Sequence, residues 1–434
     1  MKILIVNYRF FVSGGPERYL FNIMALLKKK GHTVIPFSVS NQHNQPSDYR
    51  DYFMSPVGEG KEVYFNEYSK RNLKTLWKTF SRMFYSVEAR RQLSRLIKDT
   101  QPDLVYVLHY QNKMSASVFD AAARLKVPVV HRVSDFSQIC ANGLFYRPQQ
   151  KDVCERCLHG TRLNAVKHKC VHDSYFLSAV KAASLKLQQF LHLDKKIAAY
   201  VVPSGFTISK LAVFGLPPAK LRHIPTFFNF SIMKENLAIS YGSYALFVGR
   251  VEEEKGLYTM VNAFIDTPYS LKIIGGSSSG FDAKLKSYLA GKNHHIELLG
   301  QLAFSEIQQY LAACAFTVMP TEVYDNFPNT VLESFAFRKA VVATNVGSLR
   351  EIVNDQENGL LFTLKDAVSL RNCVQSLFED SDKCRRLGEQ AFRKLNDEYS
   401  EEQHYTKLMH CFETVVDEVR QKPVLVQAAK TFVN

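Results

Sequence analysis

Short apolar segments that alternate with amphipathic helices occur twice in this chain of 434 residues, and this alternation restricts the fold more than any other feature. In the first half, Lys2–Val6 is typical of a buried strand, and a helical pattern follows over residues 17–30. The alternation restarts at Tyr244–Val248, which precedes a helical pattern over Gly256–Phe264. Strands that alternate with helices indicate parallel sheets covered by helices. We therefore predict an α/β chain with two doubly wound parallel-sheet domains that face a cleft.

The predicted domain boundaries follow the points where this alternation pauses. A polar stretch begins at Pro225–Asn229, so we expect residues 1–228 to form an N-terminal domain and residues 229–399 a C-terminal domain. Residues 400–434 begin with apolar side chains at helical spacing. We expect this last helix to pack back against the N-terminal domain.

Charge and hydropathy exclude several kinds of protein. The net charge is +14, from 55 Lys and Arg against 41 Asp and Glu, which suits phosphorylated substrates or an anionic membrane surface. No nucleic-acid-binding motif accompanies this charge, which is spread along the chain, so we do not expect nucleic acid as a partner. No apolar run approaches the ~18 residues of a membrane span, and the first apolar run is too short for a signal peptide. We expect a cytoplasmic protein with reduced cysteines.

Glycines and cations at the ends of predicted strands indicate a phosphate site. Gly14 and Gly15 follow the first strand of the N-terminal half. In the C-terminal half, Arg250 follows a strand and Lys255 precedes the next helix. Two cations beside a helix N-terminus can hold a diphosphate through charge-assisted hydrogen bonds. A solvated basic loop is the alternative, because three glutamates separate the two cations.

Two carboxylates lie at the corresponding end of a later strand. Asp325 begins a loop, and Glu333 falls in the first turns of the helix that follows it. A carboxylate there can accept hydrogen bonds from both ribose hydroxyls of a nucleotide, while Asp325 can reach a sugar ring. The backbone amides of Asn329, Thr330 and Val331 are expected to be free for phosphate oxygens. Either acid alone could simply favour a helix N-terminus.

Taken together, these motifs resemble those of glycosyltransferase family 4 over roughly residues 1 to 420. The resemblance implies the GT-B fold, with two Rossmann-like domains, and retaining sugar transfer from a nucleotide-diphosphate sugar, either a UDP-sugar or a GDP-sugar, without a catalytic metal. It implies that Arg250 and Lys255 stabilise the leaving diphosphate, that Glu333 holds the ribose and that Asp325 contacts the transferred sugar. Gly14 and Gly15 would let the N-terminal loop approach the diphosphate and the acceptor. The subgroup of this family that the chain most resembles acts in bacterial cell-surface polysaccharide assembly.

The chain departs from this family at the acceptor side. Many relatives have His-Asp after the fourth strand, where this chain has Ser134 and Asp135. His109 ends another strand on the same side and is a candidate substitute for the missing histidine. Asp325 also replaces a glutamate that is usual in the family. A catalytically altered relative that binds a nucleotide sugar or a partner enzyme is therefore one alternative function, and a nucleotide-sugar epimerase on the same fold is another.

Four cysteines fall within a polar insertion predicted over residues 136–175, namely Cys140, Cys154, Cys157 and Cys170. A Cys-x-x-Cys pair with two flanking cysteines can form a tetrahedral structural zinc site. Free thiols and disulfides are the other possibilities.

A basic helix is predicted over residues 69–98. Aromatic side chains such as Trp77 and Phe80 fall on one side of it, and basic residues supply the other. This pattern suits a helix that lies on an anionic membrane, and equally a helix packed on the first sheet with a basic outer face. Membrane contact would suit an acceptor that is a polyprenyl-diphosphate-linked sugar rather than a free glycan.

Overall fold

The computed structural model describes residues 1–60, 73–234 and 237–431. Their strands are β1 Lys2–Asn7, β2 Thr33–Phe37, β3 Leu104–His109, β4 Val129–Arg132, β5 Tyr146–Arg147, β6 Asp152–Val153, β7 Ala199–Val202, β8 Leu221–His223, β9 Tyr244–Val248, β10 Ser270–Ile274, β11 His295–Gly300, β12 Thr317–Met319, β13 Val341–Thr344 and β14 Gly359–Phe362. Their α-helices are α1 Gly15–Lys29, α2 Leu73–Phe84, α3 Val87–Thr100, α4 Ser117–Arg124, α5 Arg156–His159, α6 Leu163–Lys167, α7 Tyr175–Phe190, α8 Leu193–Lys196, α9 Gly205–Val213, α10 Leu257–Phe264, α11 Phe281–Leu289, α12 Phe304–Ala313, α13 Asn329–Ala336, α14 Leu349–Ile352, α15 Ala367–Glu379, α16 Ser381–Glu398 and α17 Glu401–Thr431.

Each half of the chain builds one six-stranded parallel sheet. The first sheet has the order β2-β1-β3-β4-β7-β8, and the second has the order β11-β10-β9-β12-β13-β14. In each sheet the chain winds outwards in one direction and then returns to the other side of the first strand. Open α/β sheets bind ligands at this reversal point, outside the carboxyl ends of the strands. The predicted α/β class with two doubly wound sheets is confirmed.

Helix α17 crosses back to the first sheet. Leu408 and Phe412 on its apolar side are fully buried. The Phe412 ring contacts the Tyr106 ring of β3 at a centroid distance of 5.1 Å. Lys30 and Glu402 form an ion pair of 2.6 Å at the edge of this contact. Burial of a Leu or Phe side chain contributes about 1.5–3 kcal/mol, so α17 is held mainly by its apolar face. The exact domain boundaries at 228/229 and 399/400 stay predictions.

The predicted basic helix over residues 69–98 is wrong as a single helix. Its first residues lie outside the described ranges, and the remainder forms two helices, α2 and α3, that break at Tyr85 and Ser86. The Ser86 hydroxyl accepts a hydrogen bond from the Ala89 amide at 3.1 Å, and so caps α3. A side-chain cap of this kind starts a new helix rather than continuing an old one. None of the helices in the described ranges combines the length and the hydropathy needed to cross a bilayer.

Candidate active site

A cavity of about 980 Å³ lies between the carboxyl ends of the two sheets. Its N-terminal wall includes Gly14, Gly15 and Arg18, and its C-terminal wall includes Lys255 and Glu333. The volume lies at the upper end of the range of small-molecule sites. The two reversal points of the sheets therefore open into one shared space.

Two glycines let the loops of the C-terminal wall come together. Gly256 has φ +72°, and a Cβ atom there would lie 1.8 Å from the carbonyl oxygen of Pro320. Gly275 has φ +154°, and a Cβ atom there would lie 1.7 Å from the carbonyl oxygen of Gly249. Both positions exclude any other residue, through backbone conformation and through space. The close approach at Gly256 sets Lys255 beside the end of β12.

Lys255 and Asp325 form an ion pair inside the cavity. The Lys255 ammonium lies 2.7 Å from Asp325 Oδ1 and 3.0 Å from Oδ2, and the two side chains are 15% and 20% exposed. Arg250 is more open, because its side chain is 56% exposed and lies 3.3 Å from Glu254 Oε1. The three residues predicted for the diphosphate and the sugar thus lie on one wall of one cavity.

Glu333 is buried in α13 and meets an arginine of the opposite wall. Arg18, from the first turns of α1, donates a hydrogen bond from Nη1 to Glu333 Oε1. Burial raises the pKa of the Glu333 carboxyl, and Arg18 acts against that rise. Sequence reasoning did not find Arg18, although its position one turn after Gly14 and Gly15 placed it near the cleft.

The start of α13 also touches the N-terminal loop. The Asn329 side-chain amide donates to the Gly15 carbonyl oxygen at 3.2 Å, and the Thr330 hydroxyl lies 3.3 Å from the sulfur of Met319. The prediction of a free amide is wrong for Val331, since that amide donates to the Pro328 carbonyl at 3.2 Å. This hydrogen bond occupies the Val331 amide, so one amide fewer is left for a phosphate.

The acceptor-side candidates lie together at the ends of β3 and β4. His109 Nε2 lies 3.5 Å from Asp135 Oδ2, and its ring stands edge-on to Tyr8 at a centroid distance of 5.7 Å. Burial acts to raise the pKa of Asp135, but His109 and the hydrogen bonds from Ser137 outweigh it and hold the pKa at about 2. The Ser134 hydroxyl lies 3.4 Å from the Leu108 carbonyl oxygen. The structure therefore brings His109, Ser134 and Asp135 together.

Further contacts join the two walls behind the cavity. Glu351 accepts hydrogen bonds from the amides of Gly205, at 2.8 Å, and Phe206, at the N-terminus of α9. The Asn326 side-chain amide donates to the Val133 carbonyl oxygen at 2.7 Å. A carboxylate at a helix N-terminus is stabilising, so the contacts of Glu351 help to hold the two walls together. They link residues more than 140 positions apart, and no local sequence signal indicates them.

The structure does not support the predicted zinc site. Within the described ranges, no three His, Cys, Asp or Glu side chains are arranged to hold a metal ion, and the eight cysteines are free. Cys140 and Cys170 are buried, and the Cys140 thiol donates to Asn142 Oδ1 at 3.0 Å. Burial raises the pKa of Cys157 to about 11 and of Cys170 to about 12, with neighbouring cysteines adding to both shifts. A metal ligand must be a thiolate, whereas burial favours the thiol form of Cys140, Cys157 and Cys170.

This fold and cleft define a two-domain protein with the GT-B architecture. A solved structure of Anabaena HepE in complex with UDP-glucose shares it, with a TM-score of 0.64 at 16% identity over 96% of this chain and 100% of that chain. At this identity the likeness concerns the fold alone.

The sequence comparisons identify the family. Residues 13–149 match Glycosyltransferase Family 4, and residues 230–394 match Glycosyl transferases group 1. The chain belongs to the glycosyltransferases of this family 4 and group 1 type.

Curated relatives match parts of the chain. An uncharacterized glycosyltransferase of Methanocaldococcus jannaschii is 32% identical over 34% of this chain and 41% of its own length. The putative teichuronic acid biosynthesis glycosyltransferase TuaC of Bacillus subtilis is 25% identical over 50% of this chain and 53% of its own length. The matched part thus spans about half the length of these relatives or less.

Proposed function

We propose that this protein is a retaining hexosyltransferase that moves a sugar from a UDP-sugar or GDP-sugar to a glycan or polyprenyl-diphosphate-linked acceptor in surface-polysaccharide synthesis. The observation that carries the proposal is the shared cavity in which the Lys255–Asp325 pair and Glu333 face the glycine loop of the other sheet. Binding of a nucleotide sugar requires three kinds of group, namely cations for the diphosphate, an acid for the sugar and an acid for the ribose.

Each of these groups has a separate task in the proposed reaction. Arg250 and Lys255 stabilise the negative charge that develops on the leaving diphosphate, and fixed charges of this kind usually supply the largest catalytic term. Glu333 accepts the ribose hydroxyls once Arg18 releases it. Asp325 binds hydroxyls of the transferred sugar. In retaining transfer the diphosphate itself can take the acceptor proton, so the protein mainly orients the two substrates.

The pair of His109 and Asp135 takes over the acceptor-side contact that Ser134 is too short to make. A carboxylate 3.5 Å from an imidazole fixes the orientation of the ring. His109 can then hold a hydroxyl of the transferred sugar or of the acceptor.

A lipid-linked acceptor would be met at a cytoplasmic membrane surface. Trp77 on α2 is 77% exposed, and the neighbouring Phe80 ring lies 6.1 Å from the Phe176 ring of α7. Exposed aromatic side chains beside basic ones favour the interface of an anionic bilayer. Sedimentation with anionic and neutral vesicles tests this part, because binding to neither would contradict it.

Support for the wider role comes from the relatives. TuaC is named for teichuronic acid biosynthesis, and the HepE structure holds UDP-glucose. The experiment is a thermal-shift screen with UDP-, GDP- and ADP-sugars, followed by transfer of a labelled sugar from the stabilising donor. A ligand at 100 times its Kd stabilises a protein by about 2.7 kcal/mol. We expect one nucleotide series to raise the Tm and to lose its sugar to an acceptor.

The same screen separates the alternatives. Binding without transfer or hydrolysis would indicate a catalytically altered relative. A change in the sugar without any acceptor would indicate an epimerase. No stabilisation by any nucleotide sugar would contradict the proposed donor site.

A further inference from the structure

Arg132 is a buried cation at the end of β4, on the N-terminal wall of the cavity. Its exposed fraction is 6%. The guanidinium donates to Thr226 Oγ1 at 2.8 Å and to Ser134 Oγ at 3.1 Å, and it lies 3.9 Å from the centre of the Tyr19 ring. It lines the cavity together with Ser134 and Tyr19.

Within the described ranges, no carboxylate forms an ion pair with Arg132, and its Nε has no hydrogen-bond partner. Three ionisable side chains near it, those of Tyr19, His131 and His404, are uncharged at neutral pH. Burial raises the pKa of Tyr19. Burial also lowers the pKa of His131 to about 4 and of His404 to about 3. The positive charge of Arg132 therefore meets two neutral hydroxyl groups and the face of an aromatic ring, and no ion pair within the described ranges.

An arrangement of this kind is unusual, because buried charges in proteins are normally paired. A partner that is present only in the complex resolves it. The arginine fork matches carboxylate and phosphate groups through two parallel hydrogen bonds. The donor diphosphate already has its own cations, Arg250 and Lys255, on the opposite wall. The anion for Arg132 should therefore be a second one.

We propose that Arg132 binds a carboxylate or phosphate group of a sugar on the N-terminal side of the cleft, and so selects an anionic substrate. This inference rests on the proposed function. The anion can belong to the acceptor, as a uronic acid or sugar phosphate, or to the transferred sugar of a uronic-acid donor. Arg132 is then a specificity-determining residue, with no part in the chemical step.

Calorimetry on the full chain tests the inference. The wild type is first titrated with UDP and GDP. The protein saturated with the bound nucleotide is then titrated with glucose 1-phosphate, glucuronate and neutral glucose. In parallel, UDP-glucuronic acid is compared with UDP-glucose. We expect at least one anionic probe to bind tenfold more tightly than its neutral counterpart. A preference among the free sugars assigns the anion to the acceptor, and a preference among the nucleotide sugars assigns it to the donor.

The variants Arg132→Met and Arg132→Lys distinguish recognition from a structural role. We expect Arg132→Met to remove the preference for the anionic probe while the nucleotide Kd stays unchanged, and Arg132→Lys to keep part of that preference. The inference is overturned if the wild type shows no preference for anions, or if Arg132→Met keeps it. It is also overturned if Arg132→Met weakens the nucleotide itself by the same factor, because Arg132 would then serve the diphosphate.

Failure of this inference and failure of the proposed function give different experimental results. If neither UDP, GDP nor any nucleotide sugar binds the wild type, the donor site itself is wrong and the inference falls with it. If a nucleotide binds but anions gain nothing, only the role of Arg132 is wrong. If Arg132→Met does not fold, Arg132→Lys and Arg132→Gln provide the comparison.

Discussion

Replacement of Lys255 by alanine perturbs the proposed donor site at one defined contact. The Lys255 ammonium reaches both oxygens of Asp325, at 2.7 and 3.0 Å, on the wall that should receive the diphosphate. A hydrogen bond to a charged group contributes about 1.5–3 kcal/mol. Loss of one such bond to the diphosphate corresponds to a factor of about 10–150, because about 1.4 kcal/mol is tenfold. We expect kcat/KM for donor hydrolysis or transfer to fall at least tenfold.

The variant also leaves Asp325 without its cation, which must be separated from the catalytic effect. An unpaired carboxylate in this partly buried place costs about 1–3 kcal/mol of stability. The double variant Lys255→Ala/Asp325→Ala removes that penalty, so it should regain stability while its turnover stays low. Lys272→Ala is the matched control. Lys272 forms an ion pair with Glu297 at a distance of 3.3 Å, and neither residue lines the cavity.

The assay measures nucleotide diphosphate released from the donor found in the thermal-shift screen. Urea unfolding of the same four proteins gives their stabilities. An unchanged kcat/KM in Lys255→Ala would refute the diphosphate role of this lysine. An equal loss of activity in Lys272→Ala would show that general destabilisation, rather than the site, is being measured.

Three further predictions concern the ribose, a backbone contact and pH. Glu333→Gln should weaken a ribonucleotide sugar by about 1.5–3 kcal/mol, or 10–150-fold in Kd, but weaken its 2′-deoxy analogue less, as measured by calorimetry; equal losses for the two ligands would contradict the ribose contact. Gly256→Ala should cost more than 3 kcal/mol in urea unfolding, since its Cβ would lie 1.8 Å from a carbonyl oxygen. Gly291→Ala is its control, with φ +74° but open space, and should cost only about 1 kcal/mol. Acidification from pH 6.5 to 5 should destabilise the protein by about 2 kcal/mol for each of His131 and His404. Burial lowers their pKa values to about 4 and about 3, so the unfolded chain binds more protons in this window. The variant His404→Phe should reduce this pH dependence of stability. An unchanged slope of stability against pH would contradict the role assigned to His404.

The alternation of apolar strands and helices was sufficient to predict the two parallel sheets, because β1, β3 and β9 each contain a short continuous apolar run. It did not reveal the short strands β7, β8 and β14. The three residues of β8 include Arg222 and His223, so this segment lacks the pattern of a buried strand, and the apolar run of β14 after Gly359 is only three residues long. Edge strands need fewer apolar residues, since only one neighbour and part of one face cover them.

The donor side of the site was predictable for a different reason. Arg250, Lys255, Asp325 and Glu333 each follow the carboxyl end of a strand, and parallel strands bring such ends to one edge. The partners from the other sheet could not be predicted in this way. Arg18 meets Glu333 across 315 positions, and this contact depends on how the two sheets face each other.

The cysteine prediction failed because spacing does not determine environment. Cys154 and Cys157 have the spacing of a zinc knuckle, but Cys157 and Cys170 pack against apolar neighbours such as Ala165 and Leu185. Burial of this kind raises the pKa of a thiol and so disfavours the thiolate.

Release of nucleotide diphosphate from a nucleotide sugar tests the central claim most directly. The purified chain is incubated with UDP-, GDP- and ADP-sugars, with and without a membrane extract as acceptor source, and the free diphosphate is measured. The wild type should release one nucleotide from its sugar, faster with the extract, while Lys255→Ala and Glu333→Gln should release it at least tenfold more slowly. Release of none of these nucleotides by the wild type, or equal release by the three proteins, would contradict a donor site in this cleft.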